Sequence, residues 1–112
     1  MLTPDARSRI LKRAFNNISA RDEMFKRFIN RLCASDFVNE IYLVGSRARG
    51  DHYSSSDYDV VVVVEKEDVL DVAEKIAFLK REPISIDVII LKREDLEDPI
   101  YREMLKHKKK LC

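Results

Sequence analysis

Apolar residues recur at helical spacing through the first third of the chain, as Ile10, Leu11, Ala14, Phe15 and Ile18 and then as Met24, Phe25, Phe28, Ile29, Leu32 and Cys33. Thr3, Pro4 and Asp5 have the chemistry of an N-cap, a first-turn proline and an acid that suits the helix dipole. Ser19 with Asp22 reads either as a capping box that restarts the helix or as part of one longer helix. The period then changes. Ile41 to Val44 is a short apolar run that stops at Gly45, and Tyr58 to Glu65 contains five consecutive valines, the most β-prone stretch of the chain. "SIDVIIL", Ser85 to Leu91, is a third strand. Between the second and third strands, Asp68 heads a helical stripe of Val69, Val72, Ala73, Ile76 and Ala77 that ends before Pro83. Asp98 and Pro99 open a last helix through Ile100, Met104 and Leu105, ending in the basic run "KHKKK".

The predicted order is αβ(loop)βαβα, which argues for an α/β layered domain with a small mixed sheet of about three strands and helices packed on it. The stretch "GSRARGDHYSSS" between the first two strands reads as a helix-free loop, too short for the crossover helix of a doubly wound nucleotide fold. Both glycines of the chain, Gly45 and Gly50, fall in that loop, and no G-x-G-x-x-G or Walker-type sequence is present. At 112 residues the chain is expected to form one domain spanning 1–112.

Charge narrows the function classes. Lys plus Arg total 21 against 20 Asp plus Glu, a net charge of +1, so no strong nucleic-acid binding is expected and a template-dependent polymerase is disfavoured. Cys33 lies on an apolar stripe and reads as a buried thiol far in sequence from Cys112, so no disulfide framework is expected. No apolar run is long enough for a membrane span or a signal peptide, and a cytoplasmic location is the expectation.

The candidate chemistry sits where the strands begin or end. Strand alternation puts Asp57 and Asp59 on one face with α-carbons about 6 to 7 Å apart, and Asp87 interrupts the apolar third strand. Carboxylates beside a core are costly without compensation. If the third strand lies beside the second, the three acids share one pocket of hard oxygen ligands suited to Mg²⁺ or Mn²⁺. Gly45 and Ser46 leave the first strand, where exposed amides and a hydroxyl can hold phosphate oxygens, and Arg47 and Arg49 follow. Arg47 reads more readily as a solvated loop charge than as a phosphate ligand, and Arg49 is the better candidate. Asp51 reads as a structural loop residue; His52, His107, Tyr53, Tyr58 and Tyr101 are not assigned to a site.

Gly45-Ser46, ten residues, then Asp57-x-Asp59 resembles the signature of the DNA polymerase β-like nucleotidyltransferases. The fuller run "GSRARGDHYSSSDYDV" is similar to the minimal nucleotidyltransferases of prokaryotes, the small partners of HEPN-domain proteins, and the likeness extends to Asp87 and to Asp98-Pro99-x-Tyr101. The resemblance implies the DNA polymerase β-like nucleotidyltransferase fold. It implies Asp57, Asp59 and Asp87 as catalytic ligands of two Mg²⁺ ions, with Mn²⁺ as the alternative, and Gly45, Ser46 and Arg49 around the nucleotide. It further implies transfer of AMP from ATP, or another nucleoside monophosphate from its triphosphate, to a hydroxyl. The acceptor would be a tyrosine of a HEPN-type toxin, making the chain an antitoxin. The alternative is a subunit that inhibits its partner by binding alone. Base selectivity, acceptor identity and homo-oligomerisation stay open.

Overall fold

In a computed structural model, residues 20–50 and 57–112 are described. The Thr3 cap, the first apolar stripe, Ser19, and the loop residues Asp51, His52, Tyr53 and Ser54 to Ser56 lie outside them. A helix over 20–33 (α1) leads into β1 (Glu40–Val44), a short helix α2 (Gly45–Arg49), β2 (Tyr58–Val64), α3 (Val69–Leu79) and β3 (Ile86–Lys92). A 3₁₀ turn (Arg93–Glu97), α4 (Pro99–Met104) and a two-residue strand β4 (Lys109–Lys110) complete the chain.

The sheet is mixed, in the order β3-β2-β1-β4, with β2 and β3 parallel and the β1–β2 and β1–β4 pairs antiparallel. It has four strands where the hydrophobic pattern gives three. "KHKKK" carries no strand signal and reads as the end of the last helix, but α4 stops at Met104 and Lys109 and Lys110 pair with Leu43 and Tyr42. Backbone bonds at Ile41 make the pairing: Leu111 donates to its carbonyl at 2.8 Å, and its own N–H reaches the Cys112 carbonyl at 3.1 Å. Lysines suit this outer position because an exposed edge must resist pairing with other chains.

The valines of β2 explain the layering. Val60 to Val64 are all fully buried, which requires cover on both faces of the sheet. On one face Tyr58, Val60, Val62 and Val64 pack with Phe25, Phe28, Ile29 and Leu32 of α1, Val72 and Ile76 of α3, and Ile41 and Ile84. On the other, Val61 and Val63 join Val44, Leu91 and Leu105, with Tyr101, Met104, Leu96 and Ile89 around them. That second layer is short. It ends before the residues that open β2 and β3.

Two corrections concern local structure. Cys33 is bonded to Cys112 rather than standing as a thiol; the pairing is 79 residues apart and becomes possible only because β4 returns the C-terminus to the edge of the sheet over α1. Gly45–Arg49 is helical rather than loop, ending at Gly50 in the left-handed conformation that closes a helix with least strain. The helix starts at Asp68 and Asp98 stand as predicted: the Asp68 side chain accepts from the Asp71 amide, the Asp98 side chain accepts from the Ile100 amide, and Pro99 occupies the first turn of α4. Arg31 of α1 grips the far end of α3, its guanidinium donating to Glu82 Oε1 and Oε2 at 2.6 and 2.5 Å and to the Leu79 carbonyl at 3.0 Å. No helix among the described residues is long and apolar enough to cross a membrane.

Candidate active site

Strand register decides which acids meet. Parallel pairing of β2 with β3 sets Asp59 directly beside Asp87, and antiparallel pairing of β1 with β2 sets Val44 opposite Asp59. Gly45 therefore begins α2 next to the Asp59 side chain. The backbone of Gly45 has φ +75°, and a Cβ added there would collide with the Asp59 carboxylate, whose Cγ would lie at 3.3 Å. Gly45, just past the end of β1, thus lies in a row with Asp59 of β2 and Asp87 of β3, on the face where the cover of α4 has run out. Asp57 precedes β2 by one residue and shares the Asp59 face by alternation.

The acids are less enclosed than the pattern implies. Asp59 is partly buried, whereas Asp57 and Asp87 are exposed, and among the described residues no charged side chain is buried in the core. Asp87 interrupts an apolar run without the desolvation expected of it because β3 is an outer strand and position 87 lies at its opening end. Burial pushes the Asp59 carboxyl above its ordinary value; a hydrogen bond with Asp87 and the charges of Asp87 and Asp57 act in the same direction, and Arg49 opposes them. Arg49 ends α2, and its charge acts on this carboxyl.

Among the described residues, no group of three or more His, Cys, Asp or Glu side chains is arranged to hold a metal ion. Asp59 and Asp87 are the pair linked by a hydrogen bond, and Asp57 bears on them through its charge. The donor chemistry nevertheless fits a hard divalent cation: three carboxylates stand at one end of a sheet, and the central one is raised in pKa by burial and by the other two, with Arg49 opposing. Ser46 is half-buried in the first turn of α2.

Arg47 does not face this cluster as a solvated loop charge. Its side chain is 9% exposed and lies over the Tyr58 ring, with Cζ 3.9 Å from the centroid. Phe25 stacks on the same ring at 4.1 Å between centroids. The Tyr58 hydroxyl donates to Asp22 Oδ1, and Arg47 Nη1 stands 3.8 Å from that oxygen. A signal for this cluster does lie in the sequence. Tyr58 sits between two acids on a strand, so alternation alone turns its ring to the opposite face.

A family model described as a nucleotidyltransferase domain matches residues 25–111. No curated protein is significantly similar to this chain in sequence. Among solved structures, the chain is similar to a candidate nucleotidyltransferase from Sulfolobus solfataricus. The two are 23% identical, the match covers 87% of this chain and 84% of that one, and the TM-score is 0.60. At that identity the likeness speaks for the fold alone. With the family model spanning most of the chain, and the Gly-Ser and acidic positions falling at one end of the sheet, this chain belongs to the nucleotidyltransferase-domain family.

Proposed function

We propose that this protein is a metal-dependent nucleotidyltransferase that moves AMP from ATP to a hydroxyl group, and that a tyrosine of a HEPN-domain toxin is the acceptor to test first. The observation that carries the reading is the in-register pair Asp59 and Asp87 beside Gly45, in a chain whose family acts on nucleoside triphosphates. Gly45 and Ser46 take the β and γ phosphates, where the lack of a side chain at Gly45 lets the backbone approach closely. Arg49 adds positive charge on the same side. Asp57, Asp59 and Asp87 are the residues that would hold Mg²⁺, or Mn²⁺ in its place. When bound, the two cations supply charge stabilisation to the attacking and leaving oxygens.

The acceptor oxygen attacks the α-phosphorus in line, a phosphoester bond forms, and the bond to pyrophosphate breaks. Asp87 is solvent-accessible and adjacent to Asp59, a place from which it can receive the acceptor's proton. The protein contributes position and charge rather than a covalent intermediate.

The test is to incubate the chain with Mg²⁺, ATP and its co-encoded partner and to weigh the partner. An added AMP that disappears with Asp57→Asn plus Asp59→Asn, at unchanged fold, supports the proposal. A second reading, inhibition of the partner by binding alone, draws on the exposed apolar side chains Leu70, Phe78 and Ile100, 77%, 80% and 76% accessible. Under that reading the double variant still neutralises the partner, and no mass is added.

A further inference from the structure

The back of β2 carries a construction that the nucleotide chemistry does not itself use. Tyr58 lies between Asp57 and Asp59 in sequence but on the opposite face of the sheet, buried to 3% exposure. Its ring meets Phe25 at 4.1 Å with the planes 11° apart, and the Arg47 guanidinium at 3.9 Å. Two groups that close cannot occupy one face of a ring, so Tyr58 is sandwiched between them. Its hydroxyl is fixed by Asp22 of α1, and the same carboxylate draws Arg47 inward. Arg47 belongs to α2, the five-residue helix that also carries Gly45, Ser46 and Arg49, and Ala48, 6% exposed, is the buried residue of that helix. So short a helix has little internal stability and depends on outside contacts for its orientation.

We propose that Arg47 is a positioning residue. By stacking on Tyr58 and pairing with Asp22, it locks α2 against the strand whose other face bears Asp57 and Asp59, and so holds Gly45 and Ser46 in register with those acids. The inference rests on the nucleotidyltransferase reading of the site. Arginine is specifically required: its planar guanidinium can lie flat on the ring while an N–H points at Asp22, whereas a lysine ammonium keeps the charge and loses the plane. Arg47 itself touches no phosphate in this scheme. It acts through the helix it anchors.

The experiment is calorimetric titration of the full chain with ATP in excess Mg²⁺, for the wild type, Arg47→Met, Arg47→Lys and Tyr58→Phe. Val72→Ala, a core change in α3, serves as the control matched for lost stability. Arg47→Met is expected to bind about tenfold more weakly, and Arg47→Lys to fall between it and the wild type. Tyr58→Phe, which keeps the stack and loses the Asp22 bond, should weaken binding about twofold to threefold. Val72→Ala should bind as the wild type does at temperatures where it is folded. If Arg47→Met does not fold, the Arg47→Lys and Tyr58→Phe affinities decide. Arg47 variants binding within twofold of the wild type, or Val72→Ala losing as much as Arg47→Met, overturn the positioning role and leave the nucleotide site standing. A wild type that takes up no ATP overturns the nucleotide reading and this inference with it.

Discussion

Asp59 and Asp87 are register partners on adjacent parallel strands, so their side chains leave the sheet on the same face and their carboxyl groups share a hydrogen bond. Burial raises the Asp59 carboxyl above its ordinary value of 3.8, and the hydrogen bond with Asp87 and its charge add to the rise. A carboxyl with a raised folded-state pKa binds its proton more tightly folded than unfolded. Stability from this source is present below the ordinary value and is lost as pH rises through the raised one. Asp59→Asn should therefore raise the melting temperature at pH 7, and the gain should vanish near pH 3. Melting curves at the two pH values check this; an equal effect at both would exclude the electrostatic cause. Added Mg²⁺ should raise the wild-type midpoint and leave that of the variant unmoved.

Gly45 and Gly50 have nearly the same backbone, φ +75° and +84°, but different surroundings. Alanine at 50 meets no described atom within 4 Å and bears only the left-handed strain, about 1 kcal/mol. Alanine at 45 adds the collision with Asp59, and a cost of about 2 to 3 kcal/mol is expected. Urea unfolding of the two variants, run in parallel, measures the difference. The Gly45 change should also abolish ATP binding, and the Gly50 change should spare it.

The Cys33–Cys112 bond closes a loop of 79 residues and ties the C-terminal strand to α1. Reduction, or Cys112→Ser, should cost about 2 to 4 kcal/mol. Unfolding with and without a thiol reductant gives the value, and the Cys112→Ser protein should be insensitive to the reductant. Amide exchange at Leu111 and Cys112, whose N–H groups bond the Ile41 carbonyl, should rise in the reduced protein before exchange in β2 does.

Arg31 holds the Glu82 carboxyl below its ordinary value of 4.5. The lowered value means that the pair's contribution is present above the ordinary pKa and disappears as pH falls through the folded one. Arg31→Met should cost about 1.5 to 3 kcal/mol at pH 7 and much less in acid. A loss that did not depend on pH would assign the effect to packing of the arginine stem.

Tyr58 is pushed up to about 12 by burial and by its bond to Asp22, against the ordinary value of 10.0. Because the folded phenol holds its proton more tightly, stability declines as pH climbs from about 10 toward 12. Tyr58→Phe should remove that decline. Ultraviolet titration should show Tyr58 ionising late, together with Tyr42, whose bond to Glu40 also raises it, and the Tyr58→Phe protein should lose the Tyr58 part of that late step.

The first three strands, the helices α3 and α4, the caps at Asp68 and Asp98 and the strongly apolar character of β2 were legible in the residues, because period, capping chemistry and β-branching are local properties. So were Asp57, Asp59, Asp87, Gly45 and Ser46 as candidates, from residue type and spacing. What no local pattern contains is partnership across the chain. Parallel register placed Asp87 beside Asp59, the β1 edge recruited two lysines as a fourth strand, and the returning C-terminus brought Cys112 to Cys33. Arg47, plausible in sequence as a loop cation, became a stacked strut only once α1, α2 and β2 met around Tyr58. Each of these depends on contacts between residues tens of positions apart, whose energies exist only after the chain has closed on itself, and so tertiary packing decided them.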